Sequence, residues 1–261
     1  MDINLTGKNA LVGGSSKGIG KASAIELAAL GANVTLMARS AERLQLTIKE
    51  LDTSRGQQHD YIAVDVSNQD DLEAKISQAV AQKVYHILVN NTGGPPAGPV
   101  TQASSAGFLQ AYHNHLLCNH LISMLLLPGM KQAGYGRIIN IISTSVKAPL
   151  DGLGVSNTTR GAVASWAKTM ANELAAFGIT VNNVLPGATA TERLQEIIDN
   201  KAGKTGATPL AVEAHMQAEI PMRRFGKPEE IAAAVAFLAT PAAAYITGTN
   251  LTVDGGRTPV L

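Results

Sequence analysis

Residues 9–20 read NALVGGSSKGIG, and the turn inside them decides how the rest of the chain must fold. An apolar, β-type run ends at Gly13, and apolar residues at helical spacing begin at Ile19. Between them, glycine at 14, 18 and 20 lets the backbone turn within a few residues and brings its N–H groups close to an outside partner. The helix that follows adds the positive end of its dipole. Strand, glycine turn and helix start, in that order, make a cradle for a pyrophosphate. The spacing is G-x-x-x-G-x-G rather than G-x-G-x-x-G, so position counts for as much as pattern. Candidate cofactor contacts in the turn are Gly14, Ser16, Lys17, Gly18, Ile19 and Gly20. The alternative is a tight turn that holds no ligand.

Working outward, short β-type runs alternate with longer helical patterns along the whole chain. Strands are predicted at 9–13, 33–37, 61–64, 86–90, 137–142, 180–185 and 250–253, with helical patterns at 19–30, 41–51, 72–81 and 229–238. Such alternation predicts an α/β fold, a parallel sheet with helices on both faces. Nothing resembling a linker interrupts it, so residues 1–261 read as one domain. Residues 186–228 contain no predicted strand and carry NKAGKTGATP at 200–209; a substrate-loop lid is expected over 188–220, the alternative being a surface excursion without function.

Composition narrows the classes further. With 45% apolar and 16% charged residues the chain is long enough and apolar enough to bury a full core. A net charge of +1 gives no global field for nucleic acid or an anionic membrane. The lone Cys118 excludes an internal disulfide, and the polar start MDINLTGKN shows no signal peptide, so a cytoplasmic protein is expected.

The end of the second strand bears on the ribose. A carboxylate there would bond a 2′-hydroxyl, whereas a cation suits a 2′-phosphate. The sequence is TLMARS, with Arg39 after Ala38 and Lys17 available in the glycine turn, so NADP(H) is expected in preference to NAD(H). The alternative is a pair of solvated surface cations.

These residues, with NNTGG at 90–94, LPGATAT at 185–191 and YITGTNLTVDGG at 245–256, resemble the short-chain dehydrogenase/reductase family over essentially the whole chain, in particular its β-ketoacyl-acyl-carrier-protein reductase-like members. The resemblance implies a single-domain Rossmann fold with a seven-stranded parallel sheet, and a nicotinamide cofactor. It also implies a homo-oligomer, tetramer or dimer, built on the helix at 161–177. It places Asp65 and Val66 beside the adenine, Asn91 and Gly93 along the cofactor wall, and Pro186, Gly187 and Thr191 at the nicotinamide carboxamide. Two departures are Gly13-Gly14 for the family's Thr-Gly and Thr92 for its alanine.

Members of the family use a tetrad of Asn, Ser, Tyr and Lys. Here the serine falls on Ser143, but the tyrosine position is Ser156, the lysine position Arg160, and the asparagine position His115. The tyrosines stand at 61, 85, 112, 135 and 245, none of them between 145 and 165. A serine hydroxyl is a poor general acid, and an arginine with a pKa above about 12 does not cycle as a base. Its fork of donors suits polarising a carbonyl or holding the nicotinamide ribose. His115, whose imidazole ordinarily titrates near neutrality, is the candidate proton donor, with an ordinary packed helix histidine as the alternative. Ser143 and Ser156 would bond the substrate oxygen or relay a proton through water; Ser156 as a space-filler is the other reading. The segment HNHLLCNH at 113–120 lacks the spacing that brings metal ligands to one face, so no metal is expected.

Two functions stay open at this point. One is an oxidoreductase acting on a small carbonyl or alcohol, with a rearranged proton relay. The other is a non-catalytic NADP-binding protein acting as a sensor or interaction subunit.

Overall fold

Alternation within the strands sends successive side chains to opposite faces, and both faces are buried. Leu88 and Ile138 enter one apolar cluster while their neighbours Val89 and Ile139 enter the other. The computed structural model describes residues 1–260. Its strands are β1 (Asn9–Gly13), β2 (Asn33–Ala38), β3 (Asp60–Ala63), β4 (Ile87–Asn90), β5 (Gly136–Ile141), β6 (Ile179–Pro186) and β7 (Asn250–Val253). They form one parallel seven-stranded sheet in the order β3-β2-β1-β4-β5-β6-β7, a single-domain Rossmann-type α/β fold. Strand order reverses between β1 and β4, and at that point a crevice opens at the strands' C-terminal ends.

Helices α1 (Gly18–Ala29), α2 (Ala41–Ile48) and α3 (Gln69–Gln82) follow the first three strands. After β4 come α4 (Ser105–Tyr112), a π-helical turn (His113–Leu117) and α5 (Cys118–Ala133). The long α6 (Gly154–Leu174) follows β5; α7 (Glu192–Thr205), α8 (Pro209–Ala218) and α9 (Pro228–Ala239) lie between β6 and β7. One core cluster joins Leu27 of α1 and Val235 of α9 to Val12, Val34 and Ile139. The other joins Ile76 of α3, Ile122 of α5 and Met170 of α6 to Leu11, Leu88 and Val181.

Two predicted readings shift, each for a local reason. The helix expected at 161–177 starts at Gly154, although GVSNTT is a poor helix-forming run. Tertiary contacts override propensity there: Asn157 Nδ2 donates to the Leu150 carbonyl at 2.8 Å, and a Cβ on Gly154 would lie 2.5 Å from Val100. The NKAGKTGATP segment is not a loop, because α7 runs through it to Thr205, Gly206 ends that helix at φ +70°, and the Thr208 side chain caps α8. Helices α4 and α5 are joined without a break in helical backbone by the π turn.

Four asparagines, three of them buried and Asn250 half-buried, cross the sheet in register. Asn90 Nδ2 donates to Asn140 Oδ1 at 2.9 Å, Asn140 Nδ2 to Asn183 Oδ1 at 2.9 Å, and Asn183 Nδ2 to Asn250 Oδ1 at 2.8 Å. Every amide is bonded along one row from β4 to β7, which makes polar side chains tolerable inside the sheet. Asn140→Leu leaves the Asn90 donor and the Asn183 acceptor unpaired. It should cost about 2–4 kcal/mol in urea unfolding at an unchanged m-value.

Candidate active site

The crevice begins at the glycine turn. Gly14 and Gly18 have φ +57° and +56°, in the left-handed region that favours glycine. A Cβ on Gly14 would come within 2.6 Å of Asn91 Nδ2, and one on Gly20 within 2.4 Å of the Gly14 carbonyl oxygen. Asn91 fastens the turn from the end of β4 by donating to the Gly13 and Gly14 carbonyls at 3.2 and 3.4 Å. Ser15, a residue that pattern reading passes over, ties the turn to β2 by accepting from the Met37 N–H at 2.9 Å. No side chain caps the start of α1, so its first N–H groups remain open to an anion. Ser16 and Ile19 lie half-buried on the same turn.

The rest of the predicted cofactor wall surrounds it. Asp65 accepts from the N–H and hydroxyl of Ser67, which lowers its pKa and keeps it a carboxylate; Val66 is half-buried beside it. Gly93 is open, with nothing within 4 Å of a Cβ placed there. Gly187, after Pro186, lies so close to Asp254 that a Cβ would sit 2.7 Å from the Asp254 Cα. The Thr191 hydroxyl caps α7, and its methyl lies 3.4 Å from a Cβ built on Gly18, so α7 begins directly across from the glycine turn. The turn, the open helix start and these walls fit a dinucleotide.

Cations gather at the outer end. Arg39 is exposed at the end of β2 and pairs with no carboxylate among the described residues. Lys17 pairs with Glu192, whose carboxylate also lies 4.0 Å from Arg43 of α2. Neither Arg43 nor Glu192 stands out in the sequence: one is an ordinary residue of an amphipathic helix and the other an acid in a helix first turn.

The chemical end is built from β5, α6 and the π turn. Ser143 follows β5, half-buried, and its Oγ accepts from the Ser145 N–H at 3.1 Å. Ser156 lies in the first turn of α6 with no protein partner for its hydroxyl among the described residues. One turn further on, Arg160 is 8% exposed and donates from one guanidinium nitrogen to the Ile141 carbonyl at 3.2 Å. Burial pulls its pKa down to about 10, so it stays charged at neutral pH, and it has no carboxylate partner among the described residues. The loop after β4 lies against it, a Cβ on Gly94 falling 3.9 Å from the guanidinium.

His115 does not fit the charge state expected of it. It is 1% exposed in the π turn, and burial together with the Arg160 charge pushes its pKa down to about 3. Its imidazole is therefore neutral across the physiological range, not poised to titrate there. Nδ1 lies 2.6 Å from Thr92 Oγ1. His115 and Thr92 thus satisfy each other. The other side chains of HNHLLCNH diverge: His113 bonds Gln69, His120 meets Trp166, and Cys118, raised by burial to about 12, bonds the Asn114 carbonyl.

The fold and crevice define a dinucleotide-type α/β protein, and comparison with known proteins gives its family. A family model described as enoyl-(acyl carrier protein) reductase matches residues 14–258. The chain is 36% identical over 259 residues to a 3-oxoacyl-[acyl-carrier-protein] reductase of Vibrio cholerae, covering 97% of this chain and 98% of that protein. The solved structure of L-sorbose reductase from Gluconobacter frateurii, complexed with NADPH and L-sorbose, superposes with a TM-score of 0.93 at 30% identity, covering 100% of both chains. A protein described as a short chain dehydrogenase/reductase family member superposes at 0.83 with 33% identity, covering 98% of this chain and 100% of that one. The chain belongs to the short-chain dehydrogenase/reductase family.

The buried imidazole makes a pH prediction. His115 binds a proton less readily in the folded state than its ordinary value near 6.5, so protonation favours unfolding. Its stabilising share is complete above about pH 6.5 and is lost as pH falls toward 3, with a slope of up to about 1.4 kcal/mol per pH unit. His86, also lowered by burial, adds to this acid limb. His115→Asn should flatten the limb by about one proton between pH 6 and 4, read from urea midpoints across that range.

Proposed function

We propose that the protein is an NADP(H)-dependent oxidoreductase that moves a hydride between the nicotinamide and a small carbonyl or alcohol substrate of 3-oxoacyl-like type. The observation that carries this reading is Arg160, a buried guanidinium with no carboxylate partner among the described residues, at the inner end of a dinucleotide cradle. Burying an unpaired cation is costly. An enzyme gains from it when negative charge develops nearby during reaction. Family membership and the NADPH held by the sorbose reductase support the same reading. When bound, NADP(H) supplies or accepts the hydride.

Gly14, Ser16, Gly18, Ile19 and Gly20 hold the pyrophosphate side, with Lys17 and Arg39 on the 2′-phosphate. Asp65 and Val66 flank the adenine, Asn91 and Gly93 form the wall, and Pro186, Gly187 and Thr191 take the carboxamide. At the chemical end, the Ser143 and Ser156 hydroxyls hold the substrate oxygen. The charge on Arg160 favours the alkoxide and anchors the nicotinamide ribose. The proton reaches the alkoxide from water through Ser156, whose hydroxyl has no competing protein partner. His115 acts here as a neutral group that orients Thr92 and the loop after β4.

Residues 188–220 act as the substrate lid. Their helices share a small apolar cluster of their own, Leu194, Ile198, Ala202, Val212 and Met216, apart from the two main cores. The faces of α5 and α6, with Leu117 and Phe177 exposed nearby, are proposed to meet a second copy of the chain.

Titration with NADPH and NADH, followed by fluorescence, and then addition of 3-oxoacyl thioesters and ketoses tests this reading. Tight NADPH binding with steady oxidation is expected. Ser143→Ala and Arg160→Met should each lower kcat/KM about 100-fold, the scale of a lost oxyanion donor, with NADPH affinity retained in Ser143→Ala. Binding without oxidation on that panel would leave the non-catalytic sensor, and binding of neither cofactor would end both readings.

A further inference from the structure

Thr191, Glu192 and Arg193 form a strap across the crevice. The Thr191 methyl lies over Gly18. Glu192 pairs with Lys17 and lies 4.0 Å from Arg43. Arg193 donates to the Pro95 carbonyl at 3.2 Å, reaching the loop after β4 on the other side. Three consecutive residues of one helix start therefore touch the glycine turn, the cation group and the opposite wall.

The charges make this more than a surface ion pair. Lys17, Arg39 and Arg43 come from three separate segments, the glycine turn, the end of β2 and the first turn of α2. Glu192 is the one carboxylate in ion-pair range of Lys17 and Arg43 among the described residues. Lys17 holds its carboxyl below the usual range, so it is charged at any working pH. An exposed pair of this kind adds little to stability. Its electrostatic effect on a phosphate arriving at the same lysine is a different matter: the phosphate must displace the carboxylate, and the two anions repel while both remain near.

We infer that Glu192 is a cofactor-specificity residue, a lid-borne carboxylate that occupies the phosphate cations and is exchanged for the 2′-phosphate when NADP(H) binds. The inference rests on the assignment of Lys17 and Arg39 to that phosphate. Two consequences follow. Glu192 moderates affinity for phosphorylated cofactor while leaving NAD(H) untouched. Its displacement also loosens the start of α7, so the lid is released only when the phosphorylated cofactor is in place.

The test uses full-length protein, with Glu192→Gln keeping size and helix start but removing the charge. NADPH, NADH, 2′,5′-ADP and ADP are titrated against wild type and variant. Removing one like charge at this range should tighten NADPH and 2′,5′-ADP about fivefold to tenfold, while NADH and ADP stay within about twofold. In wild type, 2′,5′-ADP but not ADP should speed hydrogen exchange in a peptide covering the first two turns of α7; in the variant that exchange should be fast without ligand. Equal tightening of all four ligands, or none, overturns the inference. If wild type binds ADP as tightly as 2′,5′-ADP, the phosphate assignment fails first, and that result is separable because it needs no variant.

Discussion

Where β1 turns into α1, the backbone passes so close to Asn91 and to itself that a single added methyl group would overlap a neighbour at Gly14 or Gly20. The approach has two effects. It holds the end of β4 against the end of β1, which fixes the crevice at the reversal of strand order. It also leaves the start of α1 uncapped and facing that crevice. The anion site is thus a by-product of close packing: the same absence of side chains that lets the turn form exposes the N–H groups a phosphate needs. Lys17, Thr191 and the start of α7 then take their positions around a rim that the glycines define.

At the inner end, the Ser156 hydroxyl stands one helical turn from a cation that stays charged, Arg160. The nearby groups are matched to that cation. His115 is neutral partly because Arg160 is close, and Cys118 remains a thiol. The inner pocket therefore carries one permanent positive charge and neutral donors and acceptors around it.

Much of this was legible in the sequence because it rests on short-range pattern. The strand bounds fall within a residue or two, since alternating or continuous apolar runs ending in Gly or Asn are local signals. The glycine turn follows from local spacing, whereas Ser143, Ser156 and Arg160 were singled out only by resemblance to the family. What was not legible depends on distance in space. Arg43 and Glu192 lie far apart in sequence and meet only once α7 folds back over the turn. The neutrality of His115 follows from burial, and the start of α6 at Gly154 from contacts with Val100 and Leu150 that override weak helix propensity. Thr92, a mere departure at the level of sequence, gains meaning when His115 is found 2.6 Å away.

The asparagine row has an evolutionary implication. Its amides all point the same way, each giving to the next strand what it receives from the one before. An apolar replacement at either middle position strands two partners at once, whereas changing the whole row to apolar residues of similar size would leave no orphan. The four positions are therefore coupled under selection although they lie up to 160 residues apart, and drift at any one is trapped unless the others move with it. Relatives should carry the row complete or lack it altogether.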